Sequence, residues 1–192
     1  MNRLGITGGI GAGKSFVAQC FVQMGVPVYD CDNEAKRLML TDSSVIDALK
    51  NLVSPDVYCV DGSLNKQLLA NFVFSDAGNR EKVNRIVHPA VFRDFERWAN
   101  SQKTDIVAVE SAILFESGLS ELVDASVCVV APMELRIERV MKRDNTDSEK
   151  VRARIASQMS DSERTAKSDF VIVNDGVQSI ESQMRDVLRK MI

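Results

Sequence analysis

The sequence is poor in the residues that build zinc sites and disulfide frameworks. It has one histidine and four cysteines in 192 residues, and no two cysteines form a C-x-x-C pair. Protein zinc sites group cysteine and histidine ligands at short spacings, so this scarcity argues against a zinc site. Cys20 and Cys128 lie in apolar segments typical of a protein interior. We interpret the cysteines as reduced thiols and expect a cytoplasmic protein.

Long apolar runs and a strong excess of one charge are also missing. No run approaches the length of about 20 apolar residues that a membrane-spanning helix needs, and we see no signal-peptide pattern. There are 24 basic and 27 acidic residues, which gives a net charge of -3. We therefore expect no membrane and no nucleic-acid partner, and local basic clusters must bind any phosphorylated ligand.

A glycine-rich segment, GGIGAGKS at residues 8–15, is the most informative stretch of the chain. It matches the phosphate-binding pattern G-x-x-x-x-G-K-[ST] at every required position. Residues 3–7 favour a strand, and residues 16–24 have an apolar helical face that ends at Gly25. The segment thus predicts a loop whose backbone N–H groups and following helix N-terminus bind phosphates. Lys14 is expected to reach the outer phosphates, and the Ser15 hydroxyl to bind Mg²⁺.

Acidic residues follow two of the predicted strands. Asp30 and Asp32 come after the strand at residues 26–29, and Glu110 ends the β-branched run at 105–109. In α/β folds the carboxyl ends of the strands form the ligand-binding edge. Asp32 or Asp30 is a candidate to accept a proton or to hold Mg²⁺ through water, although Asp32 also suits a helix cap. Glu110 stands where an acid would orient Mg²⁺ or its waters.

The stretch between residues 41 and 103 reads as mostly helical. We expect His88-Pro89 to interrupt it, with Pro89 in the first turn of a new helix. The stretch is too long for a simple strand-to-strand crossover, so it predicts a lobe that closes over an acceptor substrate. Five basic residues lie in this region, and for most of them we prefer a solvated helix surface: Lys66, Arg80, Lys82, Arg85 and Arg93.

The later part of the chain supplies arginines and two further strands, at residues 125–131 and 169–173. Arg136, Arg139 and Arg143 are three and four residues apart and share one face of a predicted helix. A pair of arginine-rich polar helices indicates a lid, because guanidinium groups fit the charge on a phosphoryl group in transfer. The alternative is that these arginines form ion pairs with nearby glutamates, and we expect some arginines to bind phosphate and others to form such pairs. The turn at Asn174 is expected beside the base of ATP.

Together these elements predict an α/β fold, and the motifs resemble one family. In chain order they are TGGIGAGKS at 7–15, DCD at 30–32, VHP at 87–89, ILFE at 113–116, RD at 143–144, Gln158, and NDG at 174–176. This combination is similar to that of dephospho-coenzyme A kinase and spans nearly the whole chain. The sequence departs from the family pattern at four positions, which are Phe16, Lys36, Glu110 and Ala112. Phe16 replaces a hydroxyl residue, which removes one contact to an inner phosphate.

The resemblance implies a P-loop kinase with three parts. These are a three-layer parallel-sheet core at 1–32, 104–138 and 165–192, a helical coenzyme-binding lobe at 33–103, and a lid at 139–164. The implied reaction transfers the γ-phosphate of ATP, with Mg²⁺, to the 3′-hydroxyl of dephospho-coenzyme A. This reaction completes coenzyme A synthesis. We expect a monomer that acts on this small-molecule substrate.

The resemblance also implies roles for individual residues. Asp32, Lys14, Arg139 and Arg143 would be the catalytic residues. The residues implied to bind ATP are Gly9, Gly11, Ala12, Gly13, Lys14, Ser15, Phe16, Arg143 and Asn174. Those implied to bind the acceptor are Asp32, His88, Leu114 and Glu116. Ser15 would hold Mg²⁺, with Glu110 acting on it through water.

Three other functions remain open at this point. The first is another small-molecule or nucleoside monophosphate kinase, which an acceptor panel would distinguish. The second is a GTPase, but the sequence has no D-x-x-G after the loop and no N-K-x-D for guanine. The third is a non-catalytic nucleotide-binding module, which the presence of Lys14, Ser15 and Asp32 disfavours.

Overall fold

The computed structural model describes all 192 residues as five β-strands, nine α-helices and two short 3₁₀ segments. The strands are β1 (Asn2–Gly8), β2 (Val28–Asp30), β3 (Ile106–Glu110), β4 (Ala125–Val130) and β5 (Phe170–Val173). The helices are α1 (Lys14–Gln23), α2 (Cys31–Thr41), α3 (Ser43–Leu52), α4 (Lys66–Ser75), α5 (Asn79–Ser101), α6 (Met133–Asp144), α7 (Ser148–Ala156), α8 (Asp161–Lys167) and α9 (Ile180–Met191). The 3₁₀ segments are Pro55–Val57 and Leu119–Leu122.

The chain divides into two compact units. The first consists of Met1–Tyr29 together with Ser101–Ile192, and the second is Asp30–Asn100. Residues 139–164, the lid implied by the resemblance, belong to the first unit in this division. No helix is both long enough and apolar enough to cross a bilayer.

The first unit is built on a five-stranded sheet in the order β2-β3-β1-β4-β5. The central strand β1 pairs in parallel with β3 and with β4, and β4 pairs in parallel with β5. Leu4 and Ile6 of β1 are fully buried in a core that also contains Phe21 of α1 and Met184 of α9. Alternate residues of a strand point to opposite faces, so α1 and α9 cover the face that carries Leu4 and Ile6.

The opposite face of the sheet is covered by the segment after β3 and by α8. A Cβ atom at Gly5 would lie 2.8 Å from the Leu114 side chain, which shows how closely this segment packs on β1. The Thr165 hydroxyl of α8 lies 3.9 Å from the Cys128 sulfur of β4. Burial raises the pKa of the Cys128 thiol, as expected of an inert interior cysteine.

The second unit is helical, as the sequence predicts. Asp30 caps α2 and Asp42 caps α3, since each carboxylate accepts hydrogen bonds from N–H groups of the first helical turn. An ion pair between Arg37 and Asp94 joins α2 to α5. The Tyr58 hydroxyl donates to the Met39 carbonyl over 2.6 Å and anchors the segment after α3.

One prediction about helices is wrong, and one helix was not predicted. His88-Pro89 does not interrupt the chain, because α5 runs unbroken from Asn79 to Ser101 with Pro89 inside it. Pro89 is exposed, while Val87 and Val91 beside it are buried, so the packed face of the helix outweighs the loss of one backbone hydrogen bond. Helix α8 was not predicted, although Ser160 and Glu163 form the capping box that signals its start.

Replacing Pro89 with alanine is expected to stabilise the protein. Alanine restores a backbone N–H that can donate to the Arg85 carbonyl and removes the ring clash. The free energy of unfolding should rise by about 1–3 kcal/mol, measured by urea denaturation. The matched control is Pro55→Ala, because Pro55 starts a 3₁₀ segment, where proline is favourable; that change should cost about 0.4–1 kcal/mol. A lower stability for Pro89→Ala than for wild type would contradict this account.

His88 is half-buried in α5 and stacks on Phe92, with 6.2 Å between the ring centroids. Burial lowers the pKa of His88 below the ordinary value of 6.5. The unfolded chain therefore binds this proton more readily than the folded protein does, and the stability contributed by neutral His88 is lost as the pH falls below 6.5. As His88 is the only histidine, its imidazole signal in an NMR titration is unambiguous. We expect a midpoint below 6.5; a midpoint above it would refute the burial effect.

Candidate active site

The phosphate-binding loop lies between β1 and α1, as the sequence predicts. Gly13 precedes α1 with a left-handed φ of 93°, a conformation that side-chain-bearing residues rarely adopt. A Cβ atom here would also collide with the Asn174 amide nitrogen. Glycine at position 13 is therefore required by both backbone geometry and space. The N-terminus of α1 faces the loop with its free N–H groups, which favours an anion.

Lys14, Ser15 and Glu110 form a cluster at the start of α1. The Ser15 hydroxyl donates to Glu110 Oε1 over 2.9 Å, and Lys14 Nζ lies 3.3 Å from the same oxygen. The side chains of Lys14 and Glu110 are 15% and 10% exposed, so this ion pair is largely shielded from water. The structure thus joins the loop lysine, the loop hydroxyl and the acid at the end of β3.

The oxygen donors of this cluster suit magnesium. Mg²⁺ is usually held by one or two protein oxygens together with water and substrate phosphates. The Ser15 hydroxyl and the Glu110 carboxylate are adjacent oxygen donors of this kind. Two oxygen donors leave further coordination positions of a cation for water and phosphate, so these residues fit a cation that shares its ligands with phosphate.

Asn174 and Arg139 support the loop from its other side. The Asn174 side-chain amide donates to the Ala12 carbonyl over 2.9 Å. Arg139 Nη2 lies 3.3 Å from the carbonyl oxygens of both the backbone and the side chain of Asn174. Arg139 Nη1 is buried without a hydrogen-bond partner and is 3.8 Å from where a Cβ of Gly13 would be. An unpaired buried donor of this kind places unsatisfied positive charge beside the loop, which favours an anion there.

Arg143, the other arginine predicted to be catalytic, lies in the last turn of α6 and is exposed. It pairs with Asp144 over 2.7 Å, and Asp144 also pairs with Arg154 of α7 over 2.8 Å. The hydrogen bond from Arg143 lowers the pKa of the Asp144 carboxyl below its ordinary value. In this structure Arg143 therefore takes part in a surface network between α6 and α7.

The two aspartates after β2 have different positions. Asp30 is the N-cap of α2 and accepts hydrogen bonds from the backbone and side-chain amides of Asn33. Asp32 lies in the first turn of α2, and its side chain is exposed. The capping role that the sequence left open for Asp32 thus belongs to Asp30.

Phe16 is 54% exposed and lines a cavity of about 690 Å³ between α1 and α9. Its neighbours there include Cys20, Ile180 and Met184. The side chain that replaces the expected hydroxyl thus faces a cavity that polar residues such as Gln23 and Glu181 also line.

The residues predicted to bind the acceptor are in diverse surroundings. His88 lies in the helical unit, as described above. Leu114 is fully buried and packs against Gly5 as part of the core. Glu116 is partly exposed, and its Oε1 lies 3.8 Å from Nη2 of Arg164.

A buried charge cluster on α6 and α8 was not predicted. Arg136 and Arg164 are 2% and 0% exposed, and both pair with Asp161. Nε and Nη2 of Arg164 have no hydrogen-bond partner. Sequence reasoning placed Arg136 on the face of Arg139 and Arg143 but gave no sign that it is buried. The capping box at Ser160 would have located α8, and with it Asp161 and Arg164.

Comparisons with known proteins identify the family. The family model for dephospho-CoA kinase matches residues 3–179. A protein of Bacteroides fragilis named dephospho-CoA kinase is 44% identical over 187 residues, which cover 97% of this chain and 91% of that protein. The resemblance inferred from the motifs is thereby confirmed.

Solved structures confirm the predicted α/β P-loop kinase fold. A crystal structure from Thermus thermophilus is 33% identical and superposes with a TM-score of 0.85, covering 100% of this chain and 98% of the other. The dephospho-CoA kinase from Campylobacter jejuni has the same fold, with a TM-score of 0.70 at 22% identity over 98% of this chain and 96% of the other. The chain belongs to the dephospho-CoA kinase family.

Proposed function

We propose that this protein transfers the γ-phosphate of ATP to the 3′-hydroxyl of the ribose of dephospho-coenzyme A. The relatives that it resembles carry the name of that activity. The observation that carries the proposal is the cluster of Lys14, Ser15 and Glu110 at the N-terminus of α1. A lysine, a magnesium-binding hydroxyl and an acid at one phosphate loop are the parts that phosphoryl transfer requires.

In this mechanism the loop amides and Lys14 hold the phosphates of ATP. Lys14 neutralises charge on the transferring group, and Arg139, whose Nη1 has no partner within the protein, adds positive charge on the other side of the loop. A magnesium ion bound at Ser15, with Glu110 orienting its waters, would supply further charge neutralisation when present. Transfer is direct, since phosphoryl transfer depends on positioning and electrostatics more than on covalent catalysis.

Asp32 is the proposed acid-base residue. An exposed carboxylate in the first turn of α2 is free to accept the proton of a substrate hydroxyl, because helix capping is already performed by Asp30. The helical segment at 33–103 would bind the coenzyme, with His88 and Glu116 as further acceptor contacts. The segment at 139–164 would close as a lid and bring Arg143 to ATP. This closure would exclude water, which otherwise competes as the phosphate acceptor. We also propose that the enzyme works as a cytoplasmic monomer.

The direct test is incubation of purified protein with ATP, Mg²⁺ and dephospho-coenzyme A. We expect coenzyme A as the product, identified by mass and by a phosphate on the 3′-oxygen. A panel of nucleosides, nucleoside monophosphates and small alcohols should react far more slowly. A faster reaction with a nucleoside monophosphate would replace the proposed acceptor.

Asp32→Asn should lower kcat by about 100-fold or more, because general base catalysis typically contributes 10²–10⁴. The Kd for ATP, measured by calorimetry, should stay close to the wild-type value. Asp30→Asn is the matched control, since asparagine is also a good N-cap, and its kcat should be nearly unchanged. Wild-type turnover by Asp32→Asn would remove Asp32 from the acid-base role.

Glu110→Gln should raise the Mg²⁺ concentration needed for half-maximal activity by about 10- to 100-fold. The amide keeps the size of the side chain but loses the charge that pairs with Lys14 and orients the ion. Glu110→Asp keeps the charge and should retain more of the Mg²⁺ response. Equal Mg²⁺ dependence in Glu110→Gln and wild type would show that Glu110 does not act on the ion.

A further inference from the structure

Both backbone polar groups of Ile10, in the middle of the phosphate loop, are bound by side chains from distant segments. The Ile10 N–H donates to Gln158 Oε1 over 2.9 Å. The Ile10 carbonyl accepts from Nε of Arg136, also over 2.9 Å. Gln158 follows α7 and Arg136 lies in α6, so two elements hold the two peptide units on either side of the Ile10 Cα atom.

Arg136 is itself fixed in place. Its Nη1 pairs with Asp161, at the start of α8, and Asp161 also pairs with Nη1 of Arg164 over 3.3 Å. The side chains of Arg136 and Arg164 are almost fully buried. A buried guanidinium between a carboxylate and a carbonyl has little freedom to reorient, because any other rotamer would leave its charge unpaired.

The loop also packs against the backbone of α6. Gly11 has a φ of +78°, and a Cβ atom there would lie 2.5 Å from the Arg136 carbonyl oxygen. Arg136 is thus in contact with the outer side of the loop and is 2% exposed. A side chain that is so deeply buried cannot serve as a ligand that must meet incoming nucleotide, so its effect on phosphate binding passes through the loop.

We propose that Gln158 and Arg136 are positioning residues that set the geometry of the phosphate loop through Ile10. They hold the two peptide units that flank the Ile10 Cα atom, so that the N–H groups of the following residues stay directed at the nucleotide phosphates. Nucleotide affinity then depends on two side chains that do not touch the nucleotide. This inference deepens the proposed function and rests on it for the identity of the nucleotide.

The test uses the full chain and MgADP, whose binding needs no acceptor substrate. Gln158→Met removes the acceptor oxygen at nearly constant size and should raise the Kd for MgADP by about 5- to 30-fold, the range expected for one unmade hydrogen bond at a partly exposed site. Gln158→Glu keeps an acceptor oxygen and should bind nearly as wild type in high salt, where the added charge is screened. Gln19→Met, on the exposed side of α1, controls for the substitution itself.

Three readouts separate positioning from a general structural role. Amide exchange at Ile10 should become faster in Gln158→Met, the unfolding temperature should stay within error of wild type, and KM for ATP should rise more than kcat falls. Faster exchange at Ile10 with an unchanged Kd for MgADP would overturn the proposal. So would a Kd for Gln158→Glu as weak as that for Gln158→Met in high salt.

A second pair of variants tests the hydrogen bond from Arg136 to the Ile10 carbonyl. Arg136→Gln and Arg136→Leu both remove the charge, but only glutamine can donate to the Ile10 carbonyl. Arg136→Gln should bind MgADP more tightly than Arg136→Leu, and equal affinities would exclude the carbonyl contact as the cause. The Gln158 variants decide the question if either buried variant does not fold. If the wild-type protein binds MgADP but does not phosphorylate dephospho-coenzyme A, that result would instead count against the proposed acceptor.

Discussion

The phosphate loop binds an anion only while its peptide groups keep one orientation, and the first unit is arranged around this constraint. Side chains from outside the loop hold the N–H and C=O of Ile10 and the C=O of Ala12. A loop rich in glycine loses much conformational entropy when it is ordered. The contacts from outside the loop offset this entropic cost. The charged cluster at Glu110 lies at the other end of the loop and holds the two side chains that complete the site.

Helix α6 supplies two arginines that act on the phosphate loop. Residues at spacing three share a helix face, and Arg136 and Arg139 use that face in two ways. Arg136 binds the loop directly, whereas Arg139 acts on it through Asn174 and keeps one donor free. Arg143, one turn further, is exposed and paired with Asp144. Along this row the arginines change from buried and bound to the loop, at Arg136, to exposed and paired at the surface, at Arg143.

The sequence alone predicted the strands, most helices and the phosphate loop, because these follow from local patterns such as GGIGAGKS and the β-branched runs. It did not predict that α5 continues through Pro89, because the burial of Val87 and Val91, which outweighs the missing hydrogen bond, is a tertiary feature. It offered Asp32 as the helix cap, whereas the structure gives that role to Asp30. The contacts of Gln158 and Asn174 with the loop join residues 148 and 162 positions apart, and no local pattern encodes such a distance.

The position of Asp161 has a consequence for how this protein can change during evolution. One carboxylate serves two buried guanidinium groups, so its loss alone would leave two interior cations without their shared partner, which is far more costly than losing all three charges together. Because Arg136 also holds the Ile10 carbonyl, positions 136, 161 and 164 are expected to be retained together across relatives. These three positions cannot easily be substituted one at a time, whereas the residues of the exposed ion pairs of α6 and α7 can.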